Sequence, residues 1–162
     1  MRSLVVLAVF AFAVPAASAP QVKETAHLVI KGGPNAGTYD ASSERGGCSY
    51  GLSGPGSWGN QLSAPHGTDP KAFNSLQLIV PDAKKAAAGT HEFLITFGFG
   101  PLLHRAAEYK VETRGGQPAT GSGVVTVHDQ GTTGSVDFDV TTKDGVNLKG
   151  TIECQSVLRA GN

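Results

Sequence analysis

The chain has 162 residues, with 13 basic and 13 acidic side chains, two cysteines and 22 glycines. Balanced charge without a run of five like charges excludes the electrostatic footprint of a nucleic-acid binder and a polybasic membrane patch. Abundant glycine and the near absence of helix periodicity exclude a helical bundle and point to short strands joined by tight turns.

At the N-terminus, Met1-Arg2-Ser3 is a short basic start, residues 4–14 are eleven uninterrupted apolar residues, and Pro15-Ala16-Ala17-Ser18-Ala19 is a small-residue exit. That is the layout of a secretory signal peptide, and its apolar run is too short to span a bilayer. We expect residues 1–18 to be a cleaved leader and residues 19–162 a single domain, long enough to bury a core. Loss of Arg2 leaves 12 basic against 13 acidic side chains. No second long apolar stretch, no lipidation cysteine at the cleavage site and no Asn-x-Ser/Thr sequon is present. The expectation is a soluble protein, secreted or periplasmic, with no membrane anchor. In an oxidising compartment Cys48 and Cys154 are expected to form a disulfide that staples the second strand to the last.

Strands are predicted over residues 27–31 and 48–52. Residues 75–80 follow, with Leu76, Leu78 and Val80 inward, then 92–99, with Phe93, Ile95, Phe97 and Phe99 on one face. Between these two, Asp82 after Pro81, a run of alanines and Gly89 predict a short capped helix. Further strands are predicted over 109–113 and 124–128, residues 102–110 alternatively beginning with a helical turn. The last two, over 135–142 and 146–154, alternate apolar and polar residues strictly. Parity sets their turn. A two-residue loop would place Val140 opposite Lys149, whereas the three-residue loop Lys143-Asp144-Gly145 places Val140 opposite Leu148 and Val136 opposite Ile152. Phe138 then lies over Gly150, and Asp139 opposite Lys149. The predicted fold is an all-β, antiparallel β-sandwich of seven or eight strands with one short helix.

Few patterns carry chemistry. His27, His66, His91, His104 and His128 are scattered without i, i+4 spacing, so no metal site is expected. Asp137 and Asp139 share a strand face, where a hard cation and a solvated charged surface are the competing readings. Gly54-Pro55-Gly56-Ser57-Trp58-Gly59 fits G-x-G-x-x-G in form, but no βαβ context surrounds it, and no cofactor is expected. Residues 53–70 are expected to be a long loop holding the only tryptophan, Trp58, with His66 and Asp69. Trp58 is either a lid over one end of the fold or, with His66 and Asp69, a contact for a ligand.

The pattern Gly121-x-Gly123-x-Val125-x-Val127, Gly134-x-Val136-x-Phe138 and Gly145-x-x-x-Lys149-Gly150-Thr151-x-x-Cys154 resembles the ending of small exported bacterial β-sandwich proteins and lipoprotein antigens. The resemblance implies location and fold and no active site, and this chain departs from it in lacking a lipidation cysteine. A disulfide-stapled scaffold, the lack of catalytic motifs and one long aromatic-bearing loop instead make the expected function non-enzymatic: binding of a protein or small-molecule partner through the loops. Two alternatives stand beside it. One is an exported hydrolase with a dispersed site drawn from Ser57, His66, Asp69, His91 and His104; the other is a protease inhibitor presenting residues 53–70.

Overall fold

The computed structural model describes residues 21–65, 68–101, 107–116 and 118–160; the expected leader lies outside them, as do His66 and His104. The strands are β1 (Glu24–Lys31), β2 (Gly37–Ser43), β3 (Gly46–Tyr50), β4 (Trp58–Ser63), β5 (Phe73–Val80), β6 (Leu94–Phe99), β7 (Ala107–Glu112), β8 (Gly121–Asp129), β9 (Gly134–Thr142), β10 (Asn147–Cys154) and β11 (Val157–Arg159). Among the described residues the one helix is short, α1 (Ala83–Ala86), and separates β5 from β6. The protein is all-β, and its strands form two sheets, ordered β2-β1-β10-β9-β8 and β11-β3-β4-β5-β6-β7.

The register of β9 against β10 follows the parity of the sequence. Val140 faces Leu148, Phe138 faces Gly150 and Val136 faces Ile152. Residues 143–145 make the turn, closed by a Gly145 N–H to Thr142 carbonyl bond of 3.0 Å, with Gly145 at φ 83°. On the outer face Lys149 Nζ donates to Asp139 Oδ2 at 3.2 Å. Both side chains are more than half exposed, so water screens the pair, and Lys149→Ala should cost no more than about 1 kcal/mol in thermal unfolding. The predicted helix also forms: Asp82 Oδ1 accepts the Lys85 N–H at 3.0 Å as its N-cap.

Eleven strands among the described residues replace the expected seven or eight. In β2, a tyrosine, an alanine and a serine occupy the inward positions, too weak an apolar signal for period two. Inside β4 the core position between Trp58 and Leu62 is Asn60, which breaks the alternation; its presence turns much of the expected loop over 53–70 into a central strand. β11 has only three residues, and it departs from the antiparallel pattern by running parallel to β3. With β2 counted, the cystine joins the third strand to the tenth.

The buried side chains of both sheets belong to one core cluster. Phe97 of the six-stranded sheet and Phe138 of the five-stranded sheet have ring centroids 5.5 Å apart, and Tyr39 meets Phe99 edge-on at 5.1 Å. Phe93, Ile95, Phe97 and Phe99 are completely buried, as their shared face predicts. The disulfide Cys48–Cys154 links β3 to β10, and so one sheet to the other, with Cα atoms 5.8 Å apart.

Candidate functional site

Alternation along five antiparallel strands leaves one face of the β2-β1-β10-β9-β8 sheet turned away from the core. The registers align its side chains into rows. One row runs Asp40, His27, Thr151, Asp137, Thr126, and its neighbour runs Thr38, Val29, Lys149, Asp139, Val124. A shallow cavity of about 540 Å³ lies over both rows except their β2 members, Asp40 and Thr38, with Gly150 and Phe138 also in its lining.

Asp40, Asp137 and Asp139 on this face each have a donor beside them. His27 Nδ1 and Asp40 Oδ1 stand 2.7 Å apart, and His128 Nε2 and Asp137 Oδ2 stand 2.9 Å apart. Asp139 accepts from Asn147 Nδ2 at 2.8 Å as well as from Lys149. The Asn147 hydrogen bond, helped by Lys149, holds the Asp139 carboxyl below its ordinary value. Asp137 and Asp139 therefore face histidine, lysine and amide partners, as a solvated charged surface does. Among the described residues no three His, Cys, Asp or Glu side chains are grouped to hold a metal ion. The two His–Asp pairs are exposed, and neither has a serine or threonine hydroxyl among its hydrogen bonds. Such a surface suits reversible polar recognition over two valines. It lacks the enclosed, dry environment in which a nucleophile is activated.

The residues singled out in the sequence fall elsewhere. Trp58 is completely buried on β4, so the indole is core, not an exposed anchor. Its ring edge packs at Gly134, where a Cβ would meet Trp58 Cη2 at 2.7 Å. Asp69 is exposed and uses Oδ1 to accept the Lys71 N–H of its own turn at 2.8 Å. Ser57 is buried, its Oγ accepting from the Ser53 N–H, while His91 Nδ1 lies 2.7 Å from the Gly123 carbonyl. None of these contacts joins Ser57, Asp69 and His91 to one another.

The sequence places His27 and His128 on predicted strands without giving either a partner, and nothing in it singles out Asp40. The signal that would have found the pairs is cross-strand, and it requires the β1–β2 and β8–β9 registers. Glu24 and Asn60, both buried, were also missed; charged or amide side chains on a core face carry no periodic signal of their own. Comparison with protein-family models, curated proteins and solved structures finds no match to this chain.

Proposed function

We propose that this chain is an exported, non-enzymatic β-sandwich protein that binds another molecule on the open face of its five-stranded sheet. The cystine between the sheets and the Phe97–Phe138 and Tyr39–Phe99 contacts support the sandwich. The same cystine supports delivery to the periplasm or the medium, since such bonds persist where thiols are oxidised.

One observation carries the binding reading: the 540 Å³ cavity, with Val29 and Val124 beside a polar rim of His27, Thr126, Asp137, Asp139, Lys149 and Thr151. The rim combines donors and acceptors, and its ionisable side chains already have partners, Lys149 with Asp139 inside it and His27 with Asp40 and Asp137 with His128 at its edge, so it suits a neutral ligand bearing several hydroxyl groups, such as a saccharide. The surface thus shifts from the loops to a sheet face, because burial of Trp58 removes the aromatic anchor from residues 53–70.

The test is a titration of the isotopically labelled protein with a panel of mono- and oligosaccharides, read by amide shifts. Shifts concentrated at residues 27–29, 124–126, 137–139 and 149–151 are expected. Thr151→Arg, which fills the cavity, should abolish them with little change in melting temperature. Shifts around Asp69 that survive Thr151→Arg would return the site to the loops.

A further inference from the structure

Beside the disulfide, four core side chains meet from the two sheets. The β1–β10 register pairs Glu24 with Cys154, the β3–β4 register pairs Cys48 with Asn60, and the cystine ties the two pairs together. Glu24 has no exposed surface and Asn60 only 4%. Asn60 Nδ2 donates to Glu24 Oε1 at 2.5 Å across the gap between sheets. The remaining oxygens, Glu24 Oε2 and Asn60 Oδ1, are both buried and accept a hydrogen bond from no group among the described residues.

Two orphaned acceptors in one acid–amide contact have a common remedy. A carboxylate can only accept, so an ionised Glu24 leaves both oxygens unsatisfied and a charge in the core. A single proton on Oε2 converts it into a donor aimed at the amide, and the acid and amide then close into a cyclic pair with two hydrogen bonds. Among the described residues no counter-charge competes for that role. From β10 the facing group is Cys154 and from β3 it is Cys48, both held in the disulfide; β4 presents Asn60. β2 presents Ser43, whose hydroxyl lies within hydrogen-bonding reach of the Arg45 and Ser63 carbonyls, so that its single proton is taken up there. Lys23 and Glu153, the sequence neighbours of Glu24 and Cys154, are exposed.

We propose that Glu24 and Asn60 form a proton-locked clamp between the two sheets, closed while Glu24 carries a proton and broken when that proton leaves. The cystine end of the fold is then tightest under acidic conditions and loosens as the solution passes neutrality. Burial pushes the Glu24 carboxyl from its ordinary 4.5 up to about 7, against the opposing pull of the Asn60 hydrogen bond. The folded chain therefore holds this proton more tightly than the unfolded chain. The contribution is complete below the ordinary value, declines as pH rises between the two values, and is lost above the upper one. The clamp rests on no ligand and stands apart from the open sheet face.

Carbon-13 NMR of the glutamate carboxyls in the unmodified, disulfide-intact protein tests it directly. The Glu24 carbon should titrate with a midpoint near 7, while the exposed glutamates titrate in the ordinary range. Between about pH 5 and about pH 8 the unfolding equilibrium constant should rise by roughly a hundredfold from this group. In Glu24→Gln, whose amide reproduces both hydrogen bonds without a titrating proton, that rise should vanish. A Glu24 midpoint in the ordinary carboxyl range, or a Glu24→Gln protein that keeps the full pH slope, overturns the proposal. Should Glu24→Gln fail to fold, the titration of the unmodified chain decides alone.

Discussion

Replacing Cys48 and Cys154 together with alanine should lower the stability of the protein by about 4–5 kcal/mol. The two cysteines are 106 positions apart, so the bond closes a long loop and restrains the unfolded chain strongly. The restraint operates between sheets: β3 and β10 have no backbone ladder in common, and the cystine is their covalent link. Against a typical domain stability of roughly 5–15 kcal/mol, that loss brings the chain close to unfolding. Alanine is the substitution of choice here. A serine hydroxyl beside Glu24 and Asn60 would bring a new hydrogen-bonding group into their contact and mask part of the loss. Denaturant unfolding of the alanine pair against the native protein, at a fixed acidic pH where the Glu24 clamp is closed, measures the difference. A loss below about 1 kcal/mol would mean that the aromatic contacts alone hold the sheets together.

The register of the β9–β10 hairpin was legible, its bounds to within one residue, because the two strands alternate strictly and a glycine stands where the turn needs one. The same clarity fails in β4. Trp58, Asn60 and Leu62 share the inner face, but the amide at the middle position, the glycine beside Trp58 and the proline- and glycine-rich residues around the strand all argue for a loop. The polarity of Asn60 has a structural cause, since it answers Glu24 in the opposite sheet. What disguised the strand is thus the contact that makes it distinctive. The candidate binding face was hidden for a different reason. Its members lie on five strands between positions 27 and 151, and only the pairing of β1 with both β2 and β10 brings His27, Asp40 and Thr151 into one row. Composition showed that such a face would be polar; the registers decide which polar groups become neighbours.

Two glycines of the same hairpin should respond very differently to alanine. Gly150 on β10 lies between β1 and β9, and a Cβ built there would stand 2.0 Å from the His27 carbonyl oxygen and 2.8 Å from Phe138 Cζ. The first obstacle is backbone of a strand paired on both sides, so no rotamer change relieves it; β1 must move, or the Phe138 ring must leave its place against Phe97. Gly150→Ala should therefore cost about 3 kcal/mol or more. Gly145, in the turn, has open space around its would-be Cβ but a φ of 83°. Alanine there meets only the left-handed backbone penalty, about 1 kcal/mol. Paired denaturation curves of the two variants distinguish crowding from backbone strain within a single supersecondary unit. Similar losses at both positions would be incompatible with the close approach of β1 to β10. The larger loss would also reach the open face, because moving β1 against β10 separates His27 from Thr151 and Val29 from Lys149, the side chains that frame the cavity. Saccharide binding in a folded Gly150→Ala protein should accordingly weaken, whereas Gly145→Ala should bind as the native chain does.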